Sequence, residues 1–367
     1  MSVIKPPLDN RNYSSFLLKN KLQVLLINNK DINMSSVSMN VGVGSYMDSI
    51  PGIAHFLEHM LFMGTKKYPS ENKFMNFISE NGGYSNAFTG SERTNYHYEI
   101  KNKSLKKSLD IFAQFFINPL FNKDSVDREI NAVDSEHQKN INNDMRRLIR
   151  VIRNISNSKY PFHNFSTGCK ETLEIENIRK HLIDFYNKFY SSNIMKLVIL
   201  GNFKIDKMKK YIIKLFSKIK NKNVYISKYK HTPFLQNEKK NSNYNNLLEI
   251  VPIKNINDIG IIWYSPFTKK SLITKEIEYL THILGHEGEN SLYSILYENG
   301  FINFINAGIM DNDICYNYIY ININATEKGF QNRNLIVNII YYFLENIIFK
   351  KINENIYNEI KKMCDIS

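Results

Sequence analysis

The stretch His55-Phe56-Leu57-Glu58-His59 constrains this chain more than any other. It lies in an apolar run from Ile53 to Phe62, behind the helix-starting pair Pro51-Gly52. Residues four apart on a helix stand one turn above the other on the same face, so the imidazoles of His55 and His59 can share one metal ion. Glu58, the residue before His59, can reach a water on that ion without ligating it. The order inverts the commoner His-Glu-x-x-His arrangement of metal-dependent hydrolases.

A catalytic zinc usually takes three protein ligands and leaves the fourth position to water. The third ligand must then come from another segment, and Glu136 fits. In the run from Val126 to His137, Glu129 and Glu136 are seven apart and share a helix face with Val133. Two acids and a valine facing inward make a poor core unless a cation waits there.

With those residues in view, the chain resembles the insulinase (pitrilysin-type, M16) zinc metallopeptidases, in their insulin-degrading-enzyme branch. The likeness rests on His55-x-x-Glu58-His59, Asn86-Ala87-Phe88-Thr89 and the run from Glu129 to His137, in this order. It extends to Phe162-His163-Asn164-Phe165-Ser166-Thr167-Gly168, Tyr190-Ser191-Ser192-Asn193 and Gly285-His286-Glu287-Gly288. The resemblance implies one Zn2+ per chain on His55, His59 and Glu136, with Glu58 as general base and Glu129 supporting a ligand from behind. It also implies an α+β fold of two α/β sandwich domains of the LuxS/metallopeptidase-like M16 type, the second incomplete. The expected division is a catalytic domain over residues 1–225, a linker over 226–246 and a non-catalytic domain over 247–367.

Composition narrows the alternatives. The formal charge of +13 invites a nucleic-acid reading, but lysine is spread along the chain and no nucleic-acid-binding motif accompanies it. No run of about 18 apolar residues suggests a membrane span, and Met1 to Asn10 lacks the apolar core of a secretory signal. Cys169, Cys315 and Cys364 are odd in number and widely spaced, which argues against a disulfide framework. A soluble protein of the cytoplasm is expected, with a mitochondrial or other organellar location left open.

Along the chain, strands are expected around the Lys19-Asn20-Lys21 turn and over Ser36 to Gly44, whose alternation buries one face. A short helix carrying Phe74, Phe77 and Ile78 follows, then a hairpin of Tyr84 to Gly90 with Thr94 to Ile100. The first hairpin strand is polar for a buried strand and suits a sheet edge facing a cleft, where a peptide could add by main-chain hydrogen bonds. The resemblance assigns Asn86 and Ala87 to the peptide backbone and Phe88 to a side-chain pocket. Further helices are expected from Leu105 to Phe116, through Glu136 as far as Leu148, from Leu173 to Phe189 and from Lys207 to Ile219.

In the second domain, strands are expected at Leu248 to Val251, Asp258 to Tyr264 and Tyr316 to Asn324, with helices at Glu276 to Leu284 and Asn334 to Ile348. His282 and His286 repeat the four-residue spacing with Gly285 where Glu58 stands. This reads as a degenerate copy rather than a second zinc site, because no carboxylate helix like that of Glu129 and Glu136 is evident downstream. The resemblance implies instead an exosite gripping the N-terminal part of peptides, built from His282, Gly285, Glu287, Ile305, Ala307 and Gly308. The chain reaches Ser367 inside what would be this domain, so an apolar helix face of Ile336, Ile339, Ile340 and Phe343 is expected to lie exposed.

The function expected is zinc-dependent endopeptidase action on unstructured or small peptides. The alternative is a catalytically incomplete peptide-binding half that needs a C-terminal half or a partner chain. A purely structural zinc ranks last, because a closed site normally has four protein ligands rich in Cys and Glu58 would go unexplained.

Overall fold

Side-chain alternation along β3 (Met34–Val41) sets the architecture of the first half: Val37, Met39 and Val41 are buried, while Ser36, Ser38 and Asn40 are half-buried. In the computed structural model, which describes residues 3–234, 247–267, 271–348 and 352–366, the chain divides into a first unit of residues 9–250 and a second beginning at Val251.

The first unit holds a six-stranded sheet of β1 (Asn12–Leu17), β2 (Gln23–Asn28), β3, β4 (Tyr84–Thr89), β5 (Thr94–Lys101) and β6 (Met195–Gly201). Their spatial order is β1-β2-β6-β3-β5-β4, parallel only between β2 and β6. The hairpin turn after β1 uses Lys21 at φ 70°, and β4 forms the far edge. Helices α1 (Ile53–Met60), α2 (Lys73–Glu80), α3 (Leu105–Ala113), α4 (Lys123–Ile141), α5 (Asp144–Ile155), α6 (Ile178–Phe189) and α7 (Ile205–Phe216) follow in chain order. The core joins Val37, Met39, Tyr96 and Tyr98 of the sheet to Phe56, Leu57 and Met60 of α1, with Phe112, Leu182 and Phe216 behind.

Several expected boundaries shift. The helix through Glu136 does not run on to Leu148: it stops at Ile141, and Asn143 caps α5 by accepting from the Arg146 N–H at 3.1 Å. The helix expected from Leu173 likewise breaks, because Asn177 takes a left-handed conformation at φ 60° and α6 starts after it. No strand forms at 248–251. Of the linker expected over 226–246, residues 235–246 lie outside the described residues. The part before them packs on the first unit, with Ile226 against its core and the Tyr229 hydroxyl donating to Glu92 at 2.7 Å.

The second unit is a three-stranded antiparallel sheet of β7 (Asp258–Pro266), β8 (Ile302–Asn312) and β9 (Tyr316–Ala325), with β9 central. On it pack α8 (Glu276–Leu284), α9 (Leu292–Glu298) and α10 (Arg333–Phe343), and α11 (Glu354–Ile366) adds Ile356 to the same core. The apolar face expected to be exposed is not: Ile336, Ile340 and Phe343 are buried with Ile321, Ile323 and Leu296, and Ile339 is half-buried. Ile302 and Ile305 of β8 and Leu292 of α9 belong to the same buried cluster. Ile340→Ala should therefore destabilise the second unit by about 2–4 kcal/mol, measured by chemical denaturation followed at Trp263, whereas an exposed position would change by no more than about 0.5 kcal/mol.

Candidate active site

Local chemistry starts helix α1. Asp48 accepts from the N–H groups of Gly52 and Ala54, each at 3.0 Å, and so satisfies two donors of the first turn. Gly52 itself sits at φ 90°, and a Cβ there would lie 2.2 Å from the Gly168 Cα. Only glycine permits this approach, which lays the loop ending at Gly168 across the start of the helix. Asp134 of α4 accepts from the Lys170 N–H at 2.9 Å and holds the far side of that loop.

The payoff is at Thr167. Its carbonyl lies 2.7 Å from His55 Nδ1. A carbonyl can only accept, so Nδ1 carries the proton and a neutral His55 points its Nε2 lone pair at Glu136 Oε2, 3.5 Å away. His59 repeats the arrangement: Nδ1 lies 3.1 Å from Glu129 Oε2, and Nε2 lies 3.8 Å from the same Glu136 oxygen. The rings stand edge-on, 4.9 Å apart. Acceptors facing acceptors are unfavourable unless a cation sits among them, and His55, His59 and Glu136 form a group with ion-binding spacing. Two imidazoles and a carboxylate suit zinc, and Glu129 behind His59 fixes the ring as outer partners of zinc ligands do.

Without an ion, a proton on His59 can take its place. Burial works against a charged His59, yet the hydrogen bonds to Glu129 and Glu136, with Glu58 nearby, raise its pKa to about 9. The same two histidines hold the Glu136 carboxyl well below the usual carboxylate range. Glu58 points into the same cleft, buried to 6% exposure, and accepts from the Thr89 hydroxyl at 2.5 Å. Burial pushes its carboxyl up, while Thr89 and the two imidazoles pull it down.

The cleft has a volume of about 590 Å³ and is walled by the free edge of β4 as well as by α1 and α4. Asn86, Ala87 and Phe88 all border it. Pairing puts Ala87 and Thr89 on the helix side of the strand, and Asn86 and Phe88 opposite His97 and Asn95 on the other. The Phe88 ring is 44% exposed and lies by Arg93 and His97. In the second unit, Gly285 ends α8 against Ala307 of β8, with His282 in the last helical turn, Glu287 exposed and Gly308 under the Tyr320 ring. The Ile305 side chain is buried in the core, so only its backbone is open to a ligand. Sequence reasoning missed Asp48, the Thr167 carbonyl and Arg146, which also borders the cleft. The one available signal was an Asp shortly before a Pro-Gly helix start.

Two predictions follow from the helix start. Gly52→Ala should cost more than about 1 kcal/mol, since it meets both positive φ and a backbone clash, and should weaken metal binding by moving Thr167 from His55. Denaturation and metal titration of that variant check it. Burial raises the Asp48 carboxyl to about 8 against the two N–H groups that lower it. A carboxyl with a folded pKa above its unfolded value contributes stability that is complete below the unfolded pKa and is lost as pH rises through the folded one. The advantage of the parent chain over Asp48→Asn should therefore shrink between pH 5 and pH 9, as read from denaturation curves at both.

Comparison with known proteins places this geometry. Residues 23–159 match the family model Insulinase (Peptidase family M16), and residues 177–364 match Peptidase M16 inactive domain. Insulin-degrading enzyme of Homo sapiens is 38% identical over 98% of this chain and 36% of its own length. Insulin-degrading enzyme-like 1, peroxisomal, of Arabidopsis thaliana is 36% identical over 100% of this chain and 38% of its own. The crystal structure of pitrilysin superposes at a TM-score of 0.86 with 27% identity, covering 100% of this chain and 39% of that one. The chain thus spans somewhat more than a third of the length of these relatives.

Proposed function

Since the chain belongs to peptidase family M16, we propose that it is the zinc-carrying part of an endopeptidase acting on unstructured or small peptides. The observation that carries this reading is the convergence of two Nε2 atoms and a carboxylate oxygen beside a buried glutamate. His55, His59 and Glu136 would hold one Zn2+ per chain. Zinc, when bound, acidifies a water and polarises a carbonyl.

The protein groups do the rest. Glu58, raised by burial and anchored by Thr89, takes a proton from the attacking water and returns it to the leaving amine. Thr167 and Glu129 hold the two imidazoles in the tautomer that ligates. A substrate strand pairs with the open edge of β4 along Asn86, Ala87 and Phe88, an orientation set by main-chain hydrogen bonds. The exosite reading assigns the N-terminal part of the peptide to His282, Gly285, Glu287, Ala307 and Gly308, with Ile305 contributing backbone. Among the described residues no disulfide is present, in keeping with a reducing location in the cytosol or an organelle. No described helix is long and apolar enough to cross a membrane.

A second reading is favoured by length. The relatives are nearly three times as long as the stretch matched here, so the chain is a peptide-binding half that reaches full rate only with a C-terminal half or partner chain. Hydrolysis of a quenched-fluorescence peptide by the zinc-loaded chain tests both. Glu58→Gln should keep zinc and lower turnover by about 10²–10⁴-fold, and a chelator should abolish the parent's activity until zinc is restored. Equal turnover by parent and variant would remove Glu58 from its role. No turnover by the parent with one zinc bound would select the second reading.

A further inference from the structure

The histidine spacing of α1 recurs at the end of α8, and the fold adds a carboxylate that the sequence did not advertise. His282 lies in the last turn of α8, His286 just past its end, and Glu359 on α11. One ligand atom from each comes within 4.8 Å of the other two. Helix α11 is held there by its own contacts: the Asn353 N–H donates to the Tyr279 hydroxyl at 2.8 Å, one turn before His282, and Ile356 joins the second core. The His282 Nε2 atom is buried and has no hydrogen-bond partner among the described residues. Such an orphan is costly and calls for an explanation.

We propose that His282, His286 and Glu359 form a second site for a divalent transition ion, separate from the His55–His59–Glu136 centre. Two imidazoles and one carboxylate select zinc, cobalt or nickel over magnesium or calcium, which prefer all-oxygen cages. The ion gives His282 Nε2 its missing partner. Gly285 occupies the position equivalent to Glu58, so the site has no base and does not hydrolyse. Its effect is mechanical: it pins α11 to α8.

The second site is also weaker than the first, for a reason visible at His286. Its Nδ1 accepts from the Gly288 N–H at 3.0 Å, which leaves the proton of the neutral ring on Nε2. To ligate through Nε2, the ring must move that proton to Nδ1, and the Gly288 N–H must turn to solvent. At the first centre Thr167 and Glu129 already impose the ligating tautomer.

Titration of the metal-free 367-residue chain with Co2+, followed by calorimetry and by the visible absorption of cobalt, tests this. The parent should take up two ions, the second at least about tenfold more weakly. A His59→Ala/Glu136→Gln chain should retain only the weaker ion. Glu359→Gln and His286→Ala, both at positions outside the core, should each weaken the second ion by about tenfold or more and leave the first unchanged, with circular dichroism confirming the fold. Amide exchange in residues 354–366 should slow when the second ion binds and not when the first does. Uptake of a single ion by the parent, or a second ion whose affinity stays within about threefold in either single variant, overturns the proposal.

Discussion

The structure of the first unit turns on a conflict between acceptors. His55 and His59 each have Nδ1 committed, one to a backbone carbonyl and the other to Glu129, and both direct Nε2 at one oxygen of Glu136. Two neutral rings would turn buried lone pairs on a carboxylate, which is costly unless a positive charge, a metal ion or a proton on His59, stands between them. The elements around it are fixed in ways that maintain the conflict. The glycine contact between residues 52 and 168 brings in the carbonyl, α4 brings both carboxylates on one face, and the sheet supports α1 through Phe56, Leu57 and Met60. Rigid elements rather than loops carry His55, His59 and Glu136, which is what a site held to about half an ångström requires.

The same geometry explains how two glutamates of different character come from neighbouring surfaces. Glu136 is partly open and surrounded by imidazoles, so it stays ionised; Glu58 is buried, with the Thr89 hydroxyl as its hydrogen-bond donor, so its carboxyl rises toward a useful basicity. Thr89 also ties Glu58 to β4, the strand whose outer edge is open. On the proposed reading, positioning of the base and presentation of a peptide-binding edge therefore depend on one strand.

Much of this was legible before any coordinates. The histidine pair, Glu58 and the Glu129–Glu136 face were readable because helical spacing converts directly into proximity. Strand β4 was readable as an edge because its side chains were too polar for burial. What was not legible has physical reasons. The Thr167 carbonyl is a backbone group and leaves no residue type behind. The breaks at Asn142-Asn143 and Asn177 interrupt sequences whose apolar period continues across them. Strand β8 escaped notice because Asn303, Asn306 and Gly308 dilute its alternation. The face of α10 was expected to lie exposed for want of the rest of its domain, yet it joins the buried cluster of Ile302, Ile305, Ile321 and Ile323.

The two histidine pairs show how little of a metal centre resides in its motif. Both have the same spacing, yet α1 continues past its second histidine whereas α8 ends before its own. In α1 the helix holds both rings and the surroundings choose the tautomer through acceptors. Beyond α8, His286 enters a bend and meets a donor, the Gly288 N–H, so its ring starts in the opposite tautomer. On these proposals, identical spacing yields one centre prepared for a metal and one that must reorganise to accept it. The difference lies in where a helix stops and in what lies behind each ring, and neither is written in the four-residue repeat.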